Sequence, residues 1–310
     1  MKPKVIVILG PTSTGKSGIA VEIAKKIGGE IISADSRQVF KEMNLGSGKI
    51  TKKEMGGIPH HLLDVSSPKT FFSVVKYKEL AEKEIEKIIS KNKVPIICGG
   101  TGFYIDKIIK NIILPEVGLN KKLRAKLEKY SIEKLYDILK KLSPSRAKNI
   151  DKYNKVRLIR AIEIASALGN VPDMKEGPKK YNYLIIGLDM DDDALKQRMH
   201  YRLLARIKAG MVNEVKKLHK QGVTWKRLES FGLEYRQVAM FLQNKITKEQ
   251  MIENLKKEIW HFIKRQRTWF KRDRKILWYK PNQILAISKK VKNSLSKVRA
   301  MEDRSRIIFC

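Results

Sequence analysis

The segment Gly10-Pro11-Thr12-Ser13-Thr14-Gly15-Lys16-Ser17 limits what this chain can fold into more than any other. It matches G-x-x-x-x-G-K-[ST] at every fixed position. The apolar run Val5–Leu9 leads into it, and the amphipathic stretch Ser17–Ile27 leads out. Strand, glycine turn and helix in that order make a phosphate cradle. The glycines let backbone N–H groups wrap an anion, and the helix N-terminus adds positive potential. Lys16 is placed to reach a phosphate oxygen, and the Ser17 hydroxyl to help hold Mg²⁺. The loop predicts a bound di- or triphosphate and leaves open which one.

Four further apolar runs read as buried strands: Glu30–Ala34, Val94–Cys98, Tyr183–Leu188 and Lys275–Tyr279. Helical patterns such as Val74–Ile89 lie between them, which predicts a parallel sheet with helices on its faces. About 85 residues separate the third run from the fourth, and that stretch reads as helices at Lys121–Tyr130, Ile132–Leu142 and Val156–Leu168. Pro115 and Gly177-Pro178 punctuate its ends. The expected fold is therefore α/β, a P-loop NTPase-like parallel sheet core with a helical insertion domain and a basic helical C-terminal region. Residues 1–116 and 179–285 form the core, 117–178 the insertion, and 286–310 a basic tail with weak structure signals. A second helical block is expected over about 192–274.

Charge points to the partner. Lys and Arg number 66 against 32 Asp and Glu, a formal net charge of +34 in 310 residues. Net charge says nothing about fold, but it steers polyanions to a surface: nucleic acid is expected ahead of an anionic membrane, and a uniformly solvated Lys-rich surface is the plain alternative. Hydrophobic content of 42% is ordinary for a globular chain. No stretch approaches the roughly 20 apolar residues that span a bilayer, and no signal peptide is read at the N-terminus. Cys98 and Cys310 make neither a disulfide framework nor a metal cluster, so a reducing cytoplasm and a monomer are expected. His60 and His61 have no further ligand spaced nearby and read as structural.

An NTP hydrolase usually carries a second apolar strand ending in Asp to organise Mg²⁺ and water. Here Val94–Cys98 ends in Gly99-Gly100-Thr101-Gly102, with no acid. Asp35 follows Glu30–Ala34 instead, at the carboxyl edge where ligands bind in open α/β sheets. It can serve as a magnesium ligand or as a general base.

Several segments together resemble one family, the tRNA dimethylallyltransferases (tRNA isopentenyltransferases). They are residues 10–17, Ser33-Ala34-Asp35-Ser36-Arg37-Gln38-Val39-Phe40, Pro59-His60-His61-Leu62-Leu63-Asp64 and Gly99-Gly100-Thr101-Gly102-Phe103-Tyr104. Arg157-Leu158-Ile159-Arg160-Ala161-Ile162-Glu163 and Lys264-Arg265-Gln266-Arg267-Thr268-Trp269-Phe270 complete the series, in family order over about residues 1–280. The chain departs from the family in places. Gly46-Ser47-Gly48-Lys49-Ile50 stands where Gly-Thr-Ala-Lys-Pro is usual, Glu234-Tyr235 where Gly-Tyr is common, and Arg206 where Met is common. It lacks the zinc finger of some eukaryotic members and resembles the bacterial type.

The resemblance implies transfer of dimethylallyl from dimethylallyl diphosphate to N6 of the adenosine on the 3′ side of the anticodon, in tRNAs reading codons that begin with U. It implies that the P-loop residues Gly10, Pro11, Thr12, Ser13, Thr14, Gly15, Lys16 and Ser17 grip a leaving diphosphate with Mg²⁺. Asp35 is then the general base, Arg202 a diphosphate-contacting arginine, and Thr101 a neighbour of the reacting centre. Contacts to the tRNA anticodon stem–loop fall to Asp35, Ser36, Arg37, Gln38 and Thr101. Arg124, Arg157 and Arg160 join them from the insertion, and Lys264, Arg265, Gln266 and Arg267 from the C-terminal region. There, Lys264, Arg267, Lys271 and Arg274 recur at helical spacing as a cationic stripe, beside an apolar stripe of Trp260, Ile263 and Phe270. Lys and Arg outnumber Asp and Glu by 15 to 3 over residues 261–310.

Two other readings compete. A P-loop kinase of a small metabolite would not need so long a basic C-terminal region. A non-catalytic RNA-binding P-loop protein would not need Asp35 at the strand edge.

Overall fold

Strand β1 (Lys4–Leu9) divides its side chains between two apolar layers, Val5, Val7 and Leu9 facing one and Ile6 and Ile8 the other. A strand covered on both faces has no polar position, and this one lies inside the sheet. The computed structural model describes residues 2–307. Helix α1 (Lys16–Ile27) leaves the glycine turn and buries Ile19, Ala20, Val21, Ile23 and Ala24 in the second layer. Then come β2 (Gly29–Ser33), the short α2 (Lys52–Met55), the two-residue β3 (His60–His61), α3 (Val74–Ser90), β4 (Val94–Gly99) and α4 (Gly102–Ile109). Helices α5 (Lys121–Leu127), α6 (Ile132–Leu142), α7 (Pro144–Lys148) and α8 (Lys155–Leu168) follow. The chain returns in β5 (Asn182–Leu188), then runs through α9 (Asp192–Lys208), α10 (Met211–Lys220), α11 (Trp225–Ser230) and α12 (Leu233–Leu242). It closes with α13 (Lys248–Phe270), β6 (Leu277–Tyr279) and α14 (Ile284–Ile307).

The six strands are all parallel, in the order β3-β2-β4-β1-β5-β6. The register sets Leu9 beside Gly99 and Ser33 beside Cys98. The carboxyl ends of β1, β2 and β4 therefore emerge at one edge of the sheet, and each opens into one of the sequence motifs. Helices α1 and α14 line the second layer, while residues of α3, α4 and α9–α13 fill the first.

The five expected strands are present, β6 beginning two residues later than the apolar run. The sixth, β3, is two residues long, too short for any periodicity to announce it. His60 and His61 stay structural. His61 lies 2.7 Å from Glu30 Oε2 and 2.8 Å from Glu84 Oε2, and His60 Nδ1 lies 2.8 Å from the Ile58 carbonyl. Among the described residues no cluster of His, Cys, Asp and Glu could hold a metal, and no helix is long and apolar enough to cross a membrane.

Two readings need correction. The segment after residue 286, read as a tail with weak structure signals, is helical through residue 307, and α14 buries Ile287 and Val291 against the second apolar layer. The cationic stripe is also shorter than its spacing suggests. Helix α13 ends at Phe270, so Lys271 is its cap and Arg274 lies in the turn beyond. The apolar stripe does hold: Ile263 and Phe270 are buried and Trp260 is partly so.

The chain divides into two units, Met1–Asn111 with Pro178–Cys310, and Ile112–Gly177. The smaller unit has its own core of Leu127, Leu135, Leu139, Ala147, Leu158, Ile159, Ala161 and Ile162. The expected helix Lys121–Tyr130 stops three residues early, and the unforeseen α7 starts on Pro144, a residue preorganised for a first helical position.

Candidate active site

The geometry of the glycine loop is set by its own backbone and side chains. Gly10 has φ 150°, and a Cβ there would lie 2.3 Å from the Leu188 carbonyl oxygen, so only glycine fits. Thr14 Oγ1 and Lys16 Nζ both donate to the Pro11 carbonyl, at 2.9 and 3.1 Å. The first N–H groups of α1 have no intrahelical partner and are available to an anion. Burial holds the Lys16 ammonium below its usual pKa; Cys98 and Asp35 act to raise it, and Arg202 to lower it further. Burial likewise pushes the Cys98 thiol up to about 11, so it is uncharged at neutral pH. A cavity of about 20 Å³ lies beside Ser17, with Ser33, Gln38 and His60 as its other polar walls and Ala20, Ile31, Ile50, Leu63 and Cys98 completing it. It has room for about one water.

Asp35 sits half-buried two residues beyond the parallel pairing of β2 and β4. Its Oδ1 accepts from the Arg37 N–H at 2.8 Å and the Gln38 N–H at 3.3 Å, which fixes the carboxylate. Among the described residues no hydrogen bond reaches Oδ2. The Ser36 N–H donates to Thr101 Oγ1 at 3.1 Å, and the Thr101 N–H to the Ala34 carbonyl at 3.1 Å. Two segments far apart in sequence thus share one turn at the sheet edge. Beneath them Tyr77 and Tyr104 stack at 4.0 Å, and Tyr77 donates to the Ser33 carbonyl. Burial pushes Tyr104 up to about 12, so it is a neutral wall.

Helix α9 brings a row of guanidiniums that the sequence reading recognised only at Arg202. A Cβ on Gly15 would stand 3.0 Å from Arg198 Nη2, so Arg198 lies against the phosphate loop. A Cβ on Gly48 would meet Arg206 Nη1 at 3.4 Å and Arg202 Nη2 at 3.6 Å. Arg198, Arg202 and Arg206 recur every four residues and therefore share one helix face, a spacing legible in the sequence. Burial first, then the charges of Arg206 and Arg198, lowers the Arg202 pKa. Arg206 alone is anchored. It donates to the Leu45 and Gly46 carbonyls, each at 3.2 Å, and to Glu234 Oε1 at 2.7 Å. The Glu214 carboxylate accepts the N–H groups of Asn44, Leu45 and Gly46 at 2.6–3.0 Å, and the Tyr235 hydroxyl at 2.9 Å. The segment before Gly48 is held from both sides, and Gln38 Nε2 donates to the Gly48 carbonyl at 3.4 Å.

The four residues expected on the RNA from α13 separate into two pairs. Lys264 and Arg265 are exposed, resting over the Trp260 and Phe262 rings. Gln266 and Arg267 turn inward. Gln266 accepts from the Thr12 N–H at 2.9 Å and donates to the Gly100 carbonyl at 2.8 Å. Arg267 is clasped by Asp189 at 2.8 Å, by Asp192, and by the Met190 carbonyl at 2.6 Å. Trp269 donates to Asp106 Oδ2 at 3.1 Å. A Cβ on Gly100 would collide with Gln266 Nε2 at 2.5 Å, and one on Gly102 with Trp269 Cδ1 at 2.3 Å. The Gly-Gly-Thr-Gly turn and the Lys-Arg-Gln-x-Thr-Trp-Phe segment are therefore mating surfaces.

In the smaller unit the expected arginines also differ in kind. Glu163 is fully buried; burial alone would raise its pKa, but Arg124, bonded at 2.7 Å through both Nε and Nη2, holds it below the usual carboxylate range. Arg160 Nη2 donates to the Val117 carbonyl at 2.7 Å. Arg157 is exposed, with only Asp151 nearby at 3.9 Å.

A family model described as IPP transferase matches residues 38–273. A tRNA dimethylallyltransferase of Syntrophus aciditrophicus is 38% identical over 304 residues, covering 95% of this chain and 99% of its own. One from Treponema denticola is 43% identical, covering 86% of this chain and 91% of its own. The solved full-length tRNA isopentenylpyrophosphate transferase of Bacillus halodurans superposes with TM-score 0.74 at 32% identity, covering 97% of this chain and 99% of that one. A eukaryotic dimethylallyltransferase solved acting on tRNA gives TM-score 0.71 at 27% identity, over 86% of this chain and 69% of that one.

Proposed function

Because this chain belongs to the IPP transferase family, we propose that it moves a dimethylallyl group from dimethylallyl diphosphate to N6 of the adenosine 3′-adjacent to the tRNA anticodon, acting as a cytoplasmic monomer. The tRNAs are those reading codons that begin with U. One observation carries the reading above all. Asp35 is oriented through Oδ1, with Oδ2 uncommitted, at the sheet edge where Thr101 and the phosphate loop also emerge.

The exocyclic amine of adenine is a weak nucleophile, because its lone pair is delocalised into the ring. Asp35 Oδ2 takes a proton from N6 as the N–C bond forms and the allylic C–O bond breaks. General base help of this kind contributes about 10²–10⁴-fold. The diphosphate departs as an anion into the loop N–H groups, Lys16 and Arg202, whose charges stand in place before it forms. Thr101 supports the turn that carries Asp35.

Ser17 fits a magnesium ion held mostly by substrate oxygens. It is exposed at the start of α1, and Mg²⁺ keeps waters and phosphate oxygens in preference to a full protein cage. When bound, the ion neutralises charge on the leaving diphosphate.

The target base must leave its stack to reach Asp35, which costs least in a single-stranded loop such as the anticodon loop. Ser36, Arg37 and Gln38 flank the base. Lys264 and Arg265, and Arg157 on the smaller unit, are assigned to the RNA backbone. Arg124, Arg160, Gln266 and Arg267 are assigned to holding the protein.

The test is incubation with Mg²⁺, labelled dimethylallyl diphosphate and unmodified tRNA, followed by nucleoside analysis. Labelled N6-prenyladenosine supports the proposal. Absence of that product, with label passing from ATP to a small metabolite instead, refutes it in favour of a kinase.

A further inference from the structure

Gln266 belongs to a motif that reads as RNA-binding, yet it is only 6% exposed, and its amide oxygen and nitrogen each bond a main-chain group inside the protein. Its Oε1 holds the Thr12 N–H at 2.9 Å, and its Nε2 reaches the Gly100 carbonyl at 2.8 Å. Thr12 lies in the phosphate loop, and Gly100 precedes Thr101, the acceptor of the Ser36 N–H beside Asp35. One side chain therefore spans the diphosphate side of the site and the base side. The helix that carries it also carries the exposed Lys264 and Arg265.

We propose that Gln266 is a positioning residue that fixes the phosphate loop and the Thr101 turn relative to each other, and that it makes no contact with RNA. The proposal rests on the reading of the loop as a diphosphate site. Both groups it joins are main-chain. No other side chain is bonded to the Thr12 N–H among the described residues, and Gln266 Nε2 packs so closely on Gly100 that a Cβ there would lie 2.5 Å from it. An amide suits this task because it donates and accepts from one planar group. A carboxylate keeps the acceptor and loses the donor, and a thioether of similar length loses both. Removing the bridge leaves a buried N–H and a buried carbonyl unpaired, a penalty large enough to weaken diphosphate binding by roughly 5- to 50-fold.

The experiment measures inorganic diphosphate and tRNA binding separately for the wild type, Gln266→Met and Gln266→Glu, and follows amide exchange at Thr12. Gln266→Met is expected to weaken diphosphate binding by about tenfold, to speed Thr12 exchange, and to keep tRNA affinity and its salt dependence within twofold. In prenyl transfer, its KM for dimethylallyl diphosphate rises while the KM for tRNA holds. Gln266→Glu, which retains the Thr12 contact, keeps Thr12 exchange slow, and this separates loop positioning from general loss of packing. Unchanged diphosphate affinity and Thr12 exchange in Gln266→Met overturn the proposal, as does a loss confined to tRNA binding. If the wild type binds no diphosphate, the functional reading fails instead. If Gln266→Met does not fold, Gln266→Glu decides: fast Thr12 exchange in that variant overturns the proposal.

Discussion

Replacing Arg206 with Met tests whether two unusual residues work as one. Arg206 bonds Glu234 at 2.7 Å and two loop carbonyls at 3.2 Å, with the paired side chains only 19% and 12% exposed. Removing one partner of a buried pair costs about 3–5 kcal/mol, because the other charge stays buried. This pair is not fully dry, and Glu234 sits in the first turn of α12, where the helix dipole favours a carboxylate. A loss of about 2–3 kcal/mol is therefore expected for Arg206→Met. Glu234→Ala should cost about as much, since Arg206 Nε already lacks a partner and the guanidinium would lose its only carboxylate. The double variant should cost little more than either single one. The coupling energy is then about 2 kcal/mol, far above the roughly 0.5 kcal/mol that marks independent sites. Chemical denaturation of the four proteins measures it. At about 2–4 °C per kcal/mol for a large domain, each single variant melts roughly 4–12 °C early. Additive losses would refute the pairing, and so would a double variant that falls to the sum of the singles.

Asp35→Ala should lower prenyl transfer by about 10²–10⁴-fold while tRNA affinity stays within twofold; lost binding with an unchanged bound-state rate would contradict the base assignment. Lys16 has its pKa lowered by burial, so it stays cationic at low pH and loses its charge as pH rises, earlier than the ordinary lysine value of 10.5. Diphosphate affinity measured by calorimetry should fall along that alkaline limb, and Lys16→Met should remove the limb together with most of the binding. Lys264→Gln and Arg265→Gln should each reduce the slope of log affinity against log salt by about 0.7–1 in tRNA titrations. Arg267→Gln, by contrast, should lower stability through the freed Asp189 and leave that slope unchanged. In the smaller unit, Arg124→Met leaves the fully buried Glu163 with the Asn120 N–H and the more distant Arg160, and should make residues 112–177 more susceptible to limited proteolysis, whereas Arg157→Gln should not.

The strand–loop–helix at residues 4–27 is determined by sequence alone, because the motif is local: glycine positions and helix start lie within eight consecutive residues. Apolar runs located the parallel sheet for the same reason, since a strand buried on both faces has no polar position to hide it. Asp35 was legible as a carboxylate at a strand end. That its neighbour Ser36 is tied to Thr101, which follows β4, was not legible, because that bond joins segments 65 residues apart.

The basic residues show where local pattern stops being informative. Lys264, Arg265, Gln266 and Arg267 are consecutive polar side chains, and nothing in their order tells which two meet solvent. Helix α13 points each about 100° from the last, and what stands across from it decides the outcome: Thr12 and Gly100 for Gln266, Asp189 and Asp192 for Arg267, and open solvent for the other two. Arg206 and Glu234 likewise read as two unrelated departures. Only the tertiary fold, which sets the start of α12 beside α9, brings them to 2.7 Å. Local sequence determines which groups are charged and which backbone can bend. Long-range packing determines which charges are spent on the protein and which remain for a diphosphate and an RNA, because pairing depends on distances between segments that the order of residues does not contain.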